Sequence, residues 1–180
     1  MNYAKIFECD TNNGEGFRVS LFVSGCNIHC KKCQNKIIQD FNYGMEYTQY
    51  TENRIINLMS KNYIRGFSLL GGEPFDNLID DWLIKLLKRL KKTFPKKTIY
   101  CWTGYNFEDL IKDNNSIKLL QYIDMLRDGE YIDDLKNLNR WLGGSENQRY
   151  IDVQKSLKEH QIIIWERAKE QIRKERLNGN

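Results

Sequence analysis

The sequence contains no long hydrophobic run, and no stretch approaches the roughly 18 apolar residues of a membrane-spanning helix. Its first residues, Met1 to Lys5, also lack the apolar segment of a secretory signal peptide. We therefore expect a cytoplasmic protein without a membrane partner, in a compartment where thiols stay reduced.

No single sign of charge dominates the chain. The formal net charge is +4, from 28 lysines and arginines against 24 aspartates and glutamates. Because the two signs are interleaved, they indicate a solvated surface, and we expect no nucleic-acid partner. With 41% hydrophobic residues and a length of 180, the chain is predicted to form one main domain with a real core.

Histidine is scarce, whereas cysteine is concentrated in one place. There are two histidines, and three of the five cysteines lie within eight residues, as Cys26, Cys30 and Cys33. In a reducing compartment this C-x3-C-x2-C spacing indicates a metal or iron–sulfur site rather than disulfides. The isolated Cys9 and Cys101 are predicted to be small buried side chains.

Three ligands leave two interpretations open. A structural zinc site needs four protein ligands, and His29, Cys9 or Cys101 could supply the fourth. A four-iron cluster held by three cysteines instead keeps one iron open to a small molecule. The triplet favours the cluster, and in that case His29 is a loop residue that binds no metal.

Hydrophobic patterning predicts alternating strands and helices. This order predicts a parallel sheet with helices outside, and the chain has room for only four to six such units. An α/β fold with an incomplete parallel β/α barrel is therefore expected. The predicted strands cover 3–9, 17–23, 66–70, 98–102 and 122–127, and the predicted helices cover 35–41, 51–59, 77–93 and 107–112.

The end of the chain has a different character. Residues 161–165 are predicted to form a strand, because three consecutive isoleucines lack helical spacing. Residues 166–177 are predicted to form a helix with solvated charges. We therefore divide the chain into a main domain over 1–165 and a charged C-terminal helical extension over 166–180.

A second motif, Gly71-Gly72-Glu73-Pro74, follows the predicted strand 66–70. In parallel α/β proteins, sites are built at the carboxyl ends of the strands. The two glycines allow backbone to approach a ligand closely, and the carboxylate of Glu73 can accept a hydrogen bond from an ammonium group. Such a run also occurs in plain turns, and it gains meaning here from the cysteine triplet upstream.

Together the two motifs resemble the radical S-adenosylmethionine (SAM) superfamily. Further stretches resemble one branch of it, the activating enzymes of anaerobic (class III) ribonucleoside-triphosphate reductases. These stretches are residues 13–18, 22–26, 102–105 and 141–153, with Asp128-Gly129 before the last. The resemblance covers about residues 5 to 165 and implies a partial barrel of the radical SAM type.

The resemblance also implies the chemistry. One [4Fe-4S] cluster per chain would lie on Cys26, Cys30 and Cys33, with SAM on the open iron. One electron from a donor such as flavodoxin or ferredoxin would cleave SAM to methionine and a 5′-deoxyadenosyl radical. That radical would remove a hydrogen from a glycine of the large reductase subunit. The implied SAM-binding residues are Lys32, Gln34, Asn35, Gly71, Gly72, Glu73 and Pro74, and a site rim would include Arg18, Thr103 and Asp128.

The chain departs from the superfamily pattern at three positions. Lys32 precedes the third cysteine where an aromatic residue is common, Gln34 replaces an aromatic residue or histidine, and Glu15 replaces a frequent proline. The residues that contact the adenine therefore stay unassigned. The oligomeric state is also left open, a homodimer included. The other functions left open are an activase of the pyruvate formate-lyase type, a small-molecule radical SAM enzyme and a zinc-stabilised interaction module.

Overall fold

Seven strands form one sheet in residues 1–170, the part of the chain that the computed structural model describes. They are arranged in the order β3-β1-β2-β4-β5-β6-β7 and together with several helices make a mixed α/β fold. The strands are β1 (Asn2–Asp10), β2 (Phe17–Val23), β3 (Met45–Glu46), β4 (Ile64–Gly71), β5 (Thr98–Trp102), β6 (Met125–Asp128) and β7 (Arg149–Asp152).

The centre of the sheet is parallel and its flanks are antiparallel. β2, β4, β5 and β6 pair in parallel, which confirms the predicted parallel sheet for these four strands. For the predicted strand over 3–9 the prediction is wrong, because β1 pairs antiparallel with both β2 and β3. The short strands β3 and β7 are also antiparallel and were not predicted, since short strands at a sheet's flanks depend on tertiary pairing more than on local pattern.

Five α-helices connect or flank the strands within residues 1–165. Thr48 and Thr51 form a reciprocal cap at the start of α1, and Asp113 and Asp152 cap α4 and α5 through their carboxylates. The last two helices were not predicted. The helices are α1 (Gln49–Met59), α2 (Trp82–Thr93), α3 (Phe107–Leu110), α4 (Asn114–Leu120) and α5 (Val153–Glu159).

The predicted helix over 77–93 is in fact interrupted. Two 3-10 turns, Pro74–Asn77 and Ile79–Asp81, precede α2, and Asp80 and Asp81 have positive φ angles of 68° and 56°. Such left-handed residues cannot continue an α-helix. The predicted helix over 35–41 likewise reduces to a 3-10 turn at Lys36–Gln39.

The main core lies between the sheet and α2. Side chains alternate along a strand, so Val19, Leu21 and Val23 of β2 face one side, where they are fully buried. Four leucines of α2 cover this side at helical spacing: Leu83, Leu86, Leu87 and Leu90. The opposite face of the sheet carries Arg18, Ser20 and Phe22.

A second, aromatic cluster covers that opposite face. The ring of Tyr100 lies edge-on to Trp141 and Trp165, with centroids 6.4 Å and 5.7 Å away. The predicted strand over 161–165 is absent, and only an isolated bridge joins Ile164 to Ile151. Residues 166–170 are helical, and the rest of the predicted extension lies outside the described residues. No helix in residues 1–170 is long and apolar enough to cross a membrane.

Candidate functional site

A cavity of about 380 Å³ opens where the parallel strands end. Its wall contains the cysteine triplet after β2, the glycine turn after β4 and the turn after β5. Segments that are far apart in the sequence therefore meet at one place, as expected for the carboxyl ends of parallel strands. The predicted site residues in this wall are Cys26, Cys30, Cys33, Gln34, Asn35, Gly71, Gly72, Glu73 and Thr103.

The cysteine loop is held by its backbone. The N–H groups of Gly25 and Cys26 donate to the carbonyls of Ile38 and Gln39 at 2.8 Å and 3.1 Å. Gly25 has a φ of +96°, and a Cβ at this position would lie 2.1 Å from the ring of Phe41. Glycine is therefore required at the start of the loop.

The three thiols lie in polar surroundings suited to metal-bound sulfur. Backbone N–H groups point at the sulfurs: Asn35 donates to Cys33 Sγ at 3.4 Å, and the N–H of Tyr131 approaches Cys30. Burial raises the pKa of the Cys26 and Cys30 thiols. Binding to iron would deprotonate them, and N–H donors would then stabilise the thiolates. The donor set thus fits an iron–sulfur cluster.

The residues considered as a fourth zinc ligand lie elsewhere. Cys101 is buried in the hydrophobic core, as predicted, but Cys9 is exposed, so its predicted burial is wrong. The strand β1 leaves the Cys9 side chain on the solvent side. The His29 ring contacts Gln39 Oε1 at 3.3 Å and is not part of the cavity wall. Among residues 1–170, no three His, Cys, Asp or Glu side chains are grouped to hold a single metal ion.

The glycine turn is hydrogen bonded to the strand and loop that carry the cysteines. Gly72 N donates to Val23 O, and Glu73 N donates to Gly25 O, both at 2.7 Å. A Cβ at position 72 would lie 2.3 Å from Gly25 O. The absence of a side chain at Gly72 therefore sets the spacing between this turn and the cysteine loop.

The carboxylate of Glu73 is fully buried and joins the turns after β4 and β5. Its Oε1 accepts from Thr103 Oγ1 at 2.8 Å and Phe75 N at 3.1 Å, and its Oε2 accepts from Gly104 N at 2.8 Å. Burial raises its pKa to about 7. Since a carboxylate has about four acceptor positions, one position is left for a ligand.

The carboxylate of Asp76 makes a second connection, between the cysteine loop and the turn after β5, which the sequence motifs did not reveal. Its two oxygens accept from Asn27 N in the cysteine loop at 2.7 Å and from the Tyr105 hydroxyl at 2.8 Å. Tyr105 ends the Trp-Thr-Gly-Tyr stretch, so this stretch contacts both carboxylates. Asp76 lies two residues after the Gly-Gly-Glu-Pro motif, in the first turn of a helix. Acidic residues are common there, so the sequence alone did not single it out.

Two further predicted SAM-binding residues are not in the cavity wall. Lys32 is exposed and pairs with Asp133 at 2.7 Å, which ties the cysteine loop to the segment between β6 and β7. Pro74 is buried at the first position of its 3-10 turn.

Two residues predicted for the rim, Arg18 and Asp128, are likewise outside the cavity wall. Arg18 is fully buried near the amino end of β2 and donates to Ser68 Oγ at 2.7 Å. Asp128 is fully buried, accepts from Phe107 N at 2.9 Å and pairs with Arg149 at 2.5 Å. Both side chains therefore connect elements of the fold.

Several wall residues were not predicted as site residues. Five of them are Asn13, Trp102, Arg127, Tyr131 and Gln148. Trp102 ends β5 and Arg127 is the last residue but one of β6, so their position near the carboxyl ends of parallel strands could have indicated them. The other three lie in loops, whose path the sequence pattern does not determine.

Comparison with known proteins agrees with this geometry. A family described as a 4Fe-4S single cluster domain matches residues 12–151. The chain is 38% identical over 149 residues to the anaerobic ribonucleoside-triphosphate reductase-activating protein of Enterobacteria phage T4, covering 83% of this chain and 92% of that protein. Proteins of the same name from Vibrio cholerae and Escherichia coli K12 are 39% and 37% identical, covering 82% of this chain and 96% of each relative.

The chain belongs to the family of anaerobic ribonucleoside-triphosphate reductase-activating proteins. The resemblance carried by the motifs is thereby confirmed. The family match over residues 12–151 includes all residues of the cavity wall, both those predicted from the sequence and those that were not. The match ends within β7 and leaves out α5 and the C-terminal residues.

Proposed function

We propose that this protein activates an anaerobic ribonucleoside-triphosphate reductase by generating a glycyl radical on its large subunit. The observation that carries the proposal is the meeting of three cysteines, the Gly71–Glu73 turn and the Thr103–Gly104 turn at one cavity. The names of the related proteins support the choice of target.

Cys26, Cys30 and Cys33 would hold a [4Fe-4S] cluster and leave one iron for SAM. When bound and reduced by an external donor, such a cluster would supply the one electron needed for cleavage of SAM to methionine and a 5′-deoxyadenosyl radical, and hydrogen-atom transfer from glycine would then give 5′-deoxyadenosine and the glycyl radical. The protein contributes positioning, because such a radical attacks almost any nearby C–H bond.

The chain's own residues would orient SAM in this cavity. Gly71 and Gly72 allow the backbone to approach the ligand, and the remaining acceptor position of Glu73 suits the methionine ammonium group. Gln34 and Asn35, beside Cys33, line the same wall. Thr103 keeps the Glu73 carboxylate in place through its 2.8 Å hydrogen bond.

The four parallel strands and their helices would make a partial β/α barrel of the radical SAM type, with the main domain over 1–165 and an extension over 166–180. The glycine segment of the reductase would enter through the open side of the cavity. A flavodoxin or ferredoxin in the cytoplasm would supply the electron.

The test is electron paramagnetic resonance of an anaerobic mixture. Reduced, cluster-loaded protein, SAM and the cognate large subunit should give the doublet of a glycyl radical. Cys30→Ala is the matched control, since it removes one cluster ligand. Absence of the doublet from a fully loaded wild-type protein would refute the proposal, and a colourless protein that contains zinc instead of iron and sulfide would favour the zinc module.

A further inference from the structure

Arg127 is a buried cation in the cavity wall, and the described part of the chain gives it no acidic partner. It lies near the end of β6, is 9% exposed, and lines both the main cavity and an adjoining cavity of about 320 Å³. Within residues 1–170, no aspartate or glutamate forms an ion pair with it. Burial of an unpaired charge is costly, so a counter-ion is expected from outside the described residues.

Its hydrogen bonds are also incomplete. A guanidinium has five N–H donors. Nη2 donates to Gln148 Oε1 and Nη1 donates to Leu142 O at 3.4 Å, whereas the buried Nε has no partner in the described part of the chain. Residues 1–170 therefore accept hydrogen bonds from only part of the donor set of Arg127.

Arg18 is another buried arginine, and it shows what a guanidinium with all of its hydrogen bonds made looks like. Its five hydrogen bonds reach Ser68 Oγ, Glu15 O, Thr98 Oγ1, Phe67 O and Thr98 O. The ring of Tyr100 also lies 3.9 Å from the guanidinium carbon. Hydrogen bonds within the fold thus account for the burial of the Arg18 guanidinium, whereas those made by the described residues do not account for the burial of Arg127.

The surroundings of Arg127 strengthen the need for an anion. Arg140 stacks over the same Tyr150 ring, with the two guanidinium carbons 5.9 Å and 5.4 Å from its centroid. Arg140 is held by the carbonyls of Ser145 and Gln148 and approaches Glu146 at 3.8 Å. The positive charge of Arg140 therefore has an acidic neighbour, whereas none of residues 1–170 provides one for Arg127.

We propose that Arg127 forms a carboxylate-binding subsite in this cavity. The inference rests on the proposed function, because it assigns a place to the negative group of the ligand. Glu73, after β4, offers its last acceptor position to a cation, while Arg127, near the end of β6, offers free donors to an anion. These opposite charges suit a zwitterionic amino-acid group such as that of SAM, and a carboxylate on the reductase segment is the other source.

The test measures ligand affinity in cluster-loaded protein by equilibrium dialysis, with SAM and with decarboxylated SAM. Arg127→Met should weaken SAM binding about tenfold or more, since a hydrogen bond to a charged group contributes roughly 1.5–3 kcal/mol. The affinity for decarboxylated SAM should stay unchanged. Arg127→Lys should restore part of the SAM affinity, and Lys136→Gln, an exposed change of equal charge in the segment between β6 and β7, should behave as wild type.

Thermal unfolding separates this role from a structural one. When Arg127 is removed, Gln148 Oε1 keeps its 3.1 Å hydrogen bond from Ser145 N, and of the two acceptors of Arg127 only Leu142 O, at a long 3.4 Å, loses its donor. Arg127→Met should therefore be as stable as wild type or more stable. A large loss of stability in both Arg127 variants, with unchanged affinities, would overturn the subsite.

The second arm measures binding of the large reductase subunit. If Arg127→Met binds SAM normally but binds the subunit more weakly, the carboxylate comes from the partner. If neither affinity changes, the subsite is refuted. Failure of the wild-type protein to bind SAM would instead count against the proposed function, so the two failures can be told apart.

Discussion

Replacing Glu73 by glutamine tests how the protein holds a buried carboxyl group in its cavity. In the fold, burial raises the pKa of Glu73 to about 7 from the ordinary value of 4.5. Between these values the folded protein keeps the proton that the unfolded chain has lost. Unfolding therefore releases a proton, and stability falls as pH rises through this range.

The magnitude follows from the size of the shift. A difference of about 2.5 pKa units corresponds to about 3 kcal/mol, which wild type should lose in full above about pH 8. Glu73→Gln has no titrating group and should not show this loss. The glutamine loses the hydrogen bond from Gly104 N, which adds a constant cost of about 1–3 kcal/mol at every pH.

The assay is urea unfolding of the cluster-free, reduced protein from pH 5 to 8.5, reported as the difference in unfolding free energy between wild type and variant. Groups common to both proteins cancel in this difference, and the Cys26 and Cys30 thiols, whose pKa values are raised, stay protonated. As pH rises, the unfolding free energy of wild type should fall relative to that of Glu73→Gln. A flat difference would refute the argument that Glu73 is a desolvated carboxyl.

Three further substitutions test the contacts around the cavity. Tyr105→Phe removes the 2.8 Å bond to Asp76 and should lower stability by about 1 kcal/mol in urea unfolding and alter the paramagnetic spectrum of the reduced cluster. Gly72→Ala should weaken SAM binding in dialysis, because its Cβ would lie 2.3 Å from a carbonyl. Arg18→Met should cost about 3–5 kcal/mol in urea unfolding, since it leaves several buried acceptors unpaired.

Each of these variants has a matched control. Tyr50→Phe changes a hydroxyl on a 79% exposed side chain and should have no effect on the cluster spectrum. Gly143→Ala adds the same methyl group where the nearest atom of the described residues, its chain neighbours aside, is 3.9 Å away, so it should leave SAM binding unchanged, although its positive φ adds a backbone strain that Gly72→Ala lacks. Arg54→Met removes an exposed arginine and should cost at most about 1 kcal/mol. A variant that behaves like its control contradicts the role assigned to that contact.

The central part of the fold could be predicted because its signals are local. The strand 98–102 was predicted with the bounds that β5 has, and β2 likewise, since both are rich in β-branched and aromatic residues. Because sites form at the carboxyl ends of parallel strands, the cysteines and Gly71–Glu73 were expected to lie close together. Their meeting in one cavity wall depends only on parallel pairing of β2, β4 and β5.

The remaining features depend on contacts that no local pattern encodes. Arg18 and Arg127 are both arginines on strands that end near the site, yet one is fully hydrogen bonded within the fold and the other is not. Asp128 was predicted for the rim, but it is buried in an ion pair with Arg149 of the antiparallel β7 and does not line the cavity. These differences appear only when the partners from distant segments are known.

The geometry also implies that the site responds as a unit. Glu73 joins the turns after β4 and β5, Asp76 joins the second of these turns to the cysteine loop, and Glu73 N donates to Gly25 O in that loop. Because these three connections form a closed circuit, displacement of one turn should strain the others. The combined variant of Thr103→Val and Tyr105→Phe should therefore change SAM affinity by a factor different from the product of the single effects. A factor equal to that product would show that the two carboxylates act independently.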